Sequence, residues 1–192
     1  MEIYLALLGV FLGVSLAGPP GPVTAVLVKR ASVSVLSGLS VGLGAMSADF
    51  ILMVITFFIG ITLITTTLEA YVFITGSVFF LILAVLSLKS SKSVGSATGN
   101  GYFSGLLIGI VNPFQIGWWV TAGLSVFKEF GFFPFYFMFV GIIGWVFFLS
   151  LTVRKSTLRF GEKATEAIRI FSFAILALFA VYFAYIGFIY LI

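Results

Sequence analysis

A chain of 192 residues that is 61% apolar and only 8% charged, with a mean hydropathy of +1.28, lies far from the composition of a water-soluble domain, where about a quarter of residues are charged. Its net charge of +4 comes from ten Lys and Arg spread between apolar runs, which reads as a topology signal and not as a nucleic-acid-binding patch. The absence of Cys and His removes disulfides, thiol chemistry, Cys/His metal sites and His-based acid-base catalysis, so no catalytic residue, metal or cofactor is expected.

A spanning helix needs roughly 20 apolar residues, and six apolar stretches follow one another: 3–28, 33–61, 70–88, 102–127, 132–153 and 170–192. The expectation is an all-α integral membrane protein, one domain of six transmembrane helices in the cell membrane with the lipid bilayer as partner. The first stretch is too long for the apolar part of a signal peptide and opens on Glu2 instead of a basic residue, so it reads as a span. Late in it, Gly18-Pro19-Pro20-Gly21-Pro22 breaks the helix, because the prolines remove amide donors and clash with the preceding turn. At about 1.5 Å per residue the break falls a little past the middle of the stretch, where freed backbone groups must be buried in protein or line a wet cavity. Gly18, Pro20, Gly21 and Pro22 are therefore candidate substrate or ion contacts; the alternative is a plain loop between shorter segments.

In the second stretch Gly38, Gly42, Ala45 and Asp49 recur at helical spacing, forming a small-residue face that packs on neighbouring helices and carries one acid. An ionised carboxylate at that depth costs at least about 2.5 kcal/mol on insertion scales, so Asp49 is the leading candidate for binding a substrate ammonium or a proton. The alternative is a neutral acid hydrogen-bonded between helices. Leu39, Leu43, Phe50 and Phe57 lie largely off this face and are expected to meet lipid. Thr62, Thr65, Thr66, Thr67 and Glu69 mark a connection, and the Ser- and Gly-rich segment 89–101 reads as a flexible linker. It divides a first repeat, 1–88, from a second, 102–192.

The fourth stretch carries Gly105 and Gly109 as packing positions, then Asn112-Pro113 with Gln115, Trp118 and Trp119 close behind. A second break or kink is expected there, with Asn112, Pro113 and Gln115 as candidate contacts; capping of a freed carbonyl by Asn112 explains the motif equally well. In the sixth stretch Ala177, Ala180, Ala184 and Gly187 form a packing seam. Trp145, Tyr182, Tyr185 and Tyr190 read as packing and interfacial anchors, and the mixed-charge stretch 154–169 as a solvated extension of the sixth helix.

Nine of the ten basic residues fall in the odd connections: Lys29, Arg30, Lys89, Lys92, Arg154, Lys155, Arg159, Lys163 and Arg169. Lys128 alone lies in an even one. The positive-inside rule puts the odd connections in the cytoplasm and both termini outside. Two successive three-helix units then have opposite orientation, the inverted-repeat plan of many secondary transporters. A weak echo supports it, Gly9 and Gly13 before the first break matching Gly105 and Gly109 before the second.

Pro20-Gly21-Pro22, the spaced Gly38 and Gly42 leading to Asp49, and Gly105, Gly109 and Asn112-Pro113 together resemble the LysE superfamily of small membrane exporters, over nearly the whole chain. The resemblance implies a six-segment exporter of basic or neutral amino acids, commonly coupled to the proton gradient. Ala48, Phe114 and Val23 depart from residues frequent at those places in the family. The expected activity is secondary-active export of an amino acid or similar small polar metabolite, with protons or another ion as coupling partner. Alternating access would work around a midplane site bounded by both breaks and Asp49. A selective channel is the first alternative and an intramembrane enzyme a remoter one; assembly into a homo-oligomer stays open.

Overall fold

The computed structural model describes residues 2–59, 66–87 and 100–190. Among them every regular element is helical: α1 (Glu2–Ala17), α2 (Pro22–Ala31), α3 (Val35–Ile59), α4 (Thr66–Ser87), α5 (Gly101–Ile110), α6 (Pro113–Trp118), a π-helical turn (Trp119–Gly123), α7 (Leu124–Phe130), α8 (Phe133–Phe160) and α9 (Glu162–Ile189). Among the described residues three helices, within α3, α8 and α9, are long and apolar enough to cross a membrane, and the bent pair α1 and α2 makes a fourth if taken as one span. The linker expected over 89–101 lies outside the described residues up to position 99, and so do Thr62 and Thr65. Thr66, Thr67 and Glu69, read as part of a connection, instead belong to α4.

Both sequence breaks are real interruptions. The axis turns by 85° between α1 and α2, where Pro22 takes the first position of α2 and costs no hydrogen bond. In the fourth stretch α5 ends at Ile110 and α6 restarts at Pro113, with Asn112 as its N-cap. A second irregularity, the π-helical turn, comes directly after α6. The charged stretch 154–169 is not one extension of the sixth helix: α8 runs to Phe160 and turns at Gly161, whose φ of +56° favours glycine, into α9.

Three pairings organise the bundle: α1 along α8, α3 along α5, and α4 along α9. The first two run parallel, since Gly9 meets Pro134 and Gly13 meets Met138, while Gly101 meets Ser40 and Gly109 meets Ala48. The third runs antiparallel, with Gly76 near Phe183 and Gly187 near Ile74. Glycine allows the parallel pairs to close. A Cβ at Gly9 or Gly13 would strike the α8 backbone at Pro134 or Met138, one at Gly141 would strike Val10 of α1, and those at Gly105 and Gly44 would strike Val41 of α3 and Tyr102 of α5. Close backbone approach of this kind is how helices associate where lipid removes the hydrophobic drive. The α4·α9 pair combines large groups, Phe80, Leu176 and Phe183, with the small Ala180 of the expected seam and Gly187 against Ile74. Ala184, expected on this seam, is exposed; the buried line runs Ser172, Leu176, Ala180, Phe183 and Gly187.

On α3 the small-residue face is buried as expected, with Gly38 against Ser150 and Ala31, and Gly42 against Val146. Leu43 and Phe50 are exposed. Leu39 is instead half-buried on the core, and Phe57 stacks on Phe127 at 4.4 Å and meets the Trp119 ring edge-on; α7 folds back over that end of α3 and covers it. Gly44→Val should cost at least about 1 to 3 kcal/mol by overpacking the α3·α5 crossing. Gly144→Ala, in open space on α8, should stabilise by up to about 1 kcal/mol through helix propensity. Thermal melts of the purified protein check both; equal melting temperatures would show that the glycine contacts do not limit helix approach.

Candidate functional site

Asp49 stands on the small-residue face of α3 and is 3% exposed. Its Oδ1 accepts two hydrogen bonds at 3.0 Å, from Gln115 Nε2 and from Trp119 Nε1. Both donors come from the interrupted fourth stretch, and the interruptions place them. Asn112 accepts the Phe114 backbone N–H on Oδ1 at 3.1 Å, as an N-cap does. That fixed backbone donor orients both side-chain amides: Asn112 must present Nδ2, which donates to Gln115 Oε1 at 3.1 Å. Gln115, its oxygen engaged, then turns its own amide N–H toward Asp49. Asn112 and Gln115 are both buried, so a reversed amide in this relay would strand a donor or acceptor.

The π-helical turn supplies the second donor. Trp119, which opens the turn, still donates its backbone N–H to Gln115 O, so the two side chains share one helix face a turn apart, and Gly123 leaves room for the Trp118 and Trp119 rings that a Cβ there would meet. Trp119 is fully buried with its N–H on the carboxylate, while Trp118 borders a cavity of about 390 Å³. Both hydrogen bonds to Asp49 fall on Oδ1, so Oδ2 is the oxygen left to meet a ligand.

The same cavity is bordered by Asp49, Asn112 and Gln115, by Pro20, Gly21 and Pro22 of the first break, and by Gly42. The structure thus brings both breaks and the acid to one space. Gly18 and Pro113 are not on its wall: Gly18 donates its N–H to Val14 O at 2.7 Å, ending α1, and Pro113 packs against Gly76 of α4. Gly38, Gly105 and Gly109 are packing positions, Gly109 between Ala48 and the Gln115 amide.

Four aromatic residues to which the sequence pattern assigns no binding role also border the cavity: Phe114, Trp118, Trp145 and Phe179. The Trp145 indole N–H is buried with no acceptor among the described residues. A polar handle on an aromatic at mid-helix is the signal that could have flagged Trp145; nothing in the pattern singles out Phe179, which arrives from α9 by packing alone. Away from the cavity, Arg154 Nη1 donates to Ser32 O at 2.8 Å, at the C-terminal end of α2 where a cation is favoured. The first and fifth connections therefore lie on one side of the bundle.

A model of the LysE type translocator family matches residues 14–187. No curated protein and no solved structure matches the chain.

Proposed function

The chain belongs to the LysE type translocator family, and from that premise we propose that it exports an amino acid or a similar small polar metabolite by secondary-active, proton-coupled alternating access. Membership places it among membrane translocators, which supports a transport role over an enzymatic one. The observation that carries the finer reading is the meeting of Asp49, the Gly-Pro break and the relay from Asn112 through Gln115 at one cavity. An unwound backbone in an apolar bundle needs such a space, and a buried acid supplies the group that a substrate ammonium and a proton can occupy in turn. A channel would need no such exchange group.

Alternating access by two inverted repeats is supported by the helix crossings. One step in numbering carries Gly9, Val10 and Gly13 of α1 onto Gly101, Tyr102 and Gly105 of α5. A second step carries Ser37, Ser40, Val41 and Ala45 of α3 onto Pro134, Phe137, Met138 and Ile142 of α8. Under these two steps the neighbours of the glycines correspond residue for residue: Gly13 meets Met138 and Ile142 as Gly105 meets Val41 and Ala45, and Gly44 meets Tyr102 as Gly141 meets Val10. Exchanging the halves turns the α1·α8 pair into α5·α3 and returns α4·α9 to itself. The echo read from sequence, Gly9 and Gly13 with Gly105 and Gly109, is thereby shifted by one helical turn.

Purified protein in liposomes should show export of neutral amino acids that rises with an imposed pH gradient and collapses when an ionophore dissipates it. Steady ionic conductance with no gradient dependence would favour the channel. Topology is predicted by the basic connections: in intact cells an impermeant thiol reagent should label a cysteine at the C-terminus and spare Thr157→Cys. Labelling of Thr157→Cys from outside would reverse the proposed orientation, in which both termini are extracytoplasmic.

A further inference from the structure

We propose that the cavity is a single-charge site: Asp49 receives one cationic nitrogen, the α8 wall receives an apolar side chain, and substrates with a second charge are rejected. The inference rests on the exporter reading and narrows it to amino acids with neutral, apolar side chains.

Asp49 is the one ionisable side chain among the described residues bordering the cavity. Bordering the same cavity from α8 are Ile142, Val146 and Leu149. The relation between the halves sharpens this contrast. The step that carries Val41 onto Met138 and Ala45 onto Ile142 carries Asp49 onto Val146. Each half thus sends the same helical position into the space, one with a carboxylate and the other with a valine. A site that answered a dication would be expected to carry its second acid there. Val146 is held in place by contact with Gly42, so the apolar wall is a built surface and not a loose one.

The charge balance decides which side chains fit. A substrate ammonium at Asp49 Oδ2 is paired; a second ammonium at the end of a side chain would be driven into Ile142, Val146 and Leu149 with no counter-ion, and a side-chain carboxylate would meet no Lys or Arg on the wall. The α-carboxylate has a different recipient. Trp145 stands on the same helix as the apolar wall and borders the cavity, and its buried indole N–H lacks an acceptor among the described residues; a turn of the ring that brings this N–H to the cavity would let a substrate carboxylate oxygen accept from it. Discrimination of this kind works mainly by penalising the wrong ligand through unpaired groups.

The test uses the full-length protein, purified and reconstituted in liposomes with a pH gradient, with leucine, lysine and glutamate as substrates and 3-methylbutylamine, which is leucine without its carboxylate, as a binding competitor. Leucine should be exported and lysine and glutamate disfavoured by about 100-fold in kcat/KM. Lysine carried as well as leucine would overturn the single-charge site while leaving the exporter reading intact. Absence of gradient-driven flux for all three would overturn the exporter reading itself, and the inference with it. Val146→Asp should raise lysine relative to leucine; if it does not insert, Leu149→Glu makes the same change on the next turn, and the wild-type comparison stands without either. Trp145→Phe should weaken leucine about tenfold and leave competition by 3-methylbutylamine unchanged. Equal weakening of both would remove the carboxylate role of the indole.

Discussion

Asp49→Asn should abolish gradient-driven export while leaving the protein folded and inserted. Asparagine keeps the side-chain size and one acceptor oxygen, so Gln115 Nε2 and Trp119 Nε1, each 3.0 Å from Asp49 Oδ1, still find a partner. The charge is lost, and with it the capacity to take up and release a proton. Hydrogen bonds to a neutral acceptor are weaker than those to an ion by about 1 kcal/mol, and the new amide N–H needs an acceptor; against this, removing a buried charge relieves its desolvation. Folding should therefore change little. Substrate binding should change a great deal: an ammonium deprived of its buried counter-charge loses on the order of 2 to 5 kcal/mol, about 30-fold to several thousand-fold in affinity. Flux with and without an imposed pH gradient, read beside the melting temperature, separates the two effects. Wild-type-like gradient-driven flux in Asp49→Asn would eliminate the proposed role. A variant that unfolds, with the surviving fraction transporting normally, would return Asp49 to a hydrogen-bonding acid that holds α3 to the fourth stretch.

Elements with strong chemical punctuation are legible in the amino-acid sequence alone. Proline marks both breaks, because at Pro22 and Pro113 it removes a helical hydrogen bond and clashes with the preceding turn, so that the helix kinks or ends there. The face of Gly38, Gly42, Ala45 and Asp49 can be drawn from periodicity. Periodicity does not reveal which helix lies opposite. It turns Phe57 off the buried face of its own helix and so toward lipid, yet Phe57 is half-buried against the core because α7 brings Phe127 onto it. Ala184 lies on the small-residue line of α9, but α4 covers a line of larger groups through Leu176 and Phe183 instead. The π-helical turn that begins at Trp119 leaves no mark in composition. Trp145 and Phe179 join the cavity only through the packing of α8 and α9. Site residues defined by backbone chemistry are thus readable, and those defined by tertiary approach are not.

Gly21→Leu should abolish transport and Gly21→Ala should preserve most of it. Gly21 is the N-cap of α2 in an extended conformation, φ −152° and ψ −174°, which any residue can adopt; its glycine is therefore not required by the backbone. A Cβ there would lie 4.0 Å from the Phe179 ring and from Pro19 O, ordinary contact distances, so alanine fits without displacement. The added leucine atoms beyond Cβ have no such allowance. Gly21 borders the cavity of about 390 Å³ on the side of the α1–α2 bend, beside Pro20 and Pro22, and a branched side chain there occupies space that an amino acid must share with Phe179. Four apolar carbons in place of a hydrogen should leave stability within about 1 to 3 kcal/mol of wild type, since the cavity can accept them, while export falls by at least about tenfold. The measurement is a flux assay on liposomes matched for inserted protein, with the alanine variant as the internal control. Normal flux through a folded Gly21→Leu protein would make the break an architectural bend and move the transport path away from it. Loss of flux in the alanine variant as well would mean that the bend must straighten during the cycle, because alanine changes the freedom of the backbone at this position while scarcely narrowing the cavity.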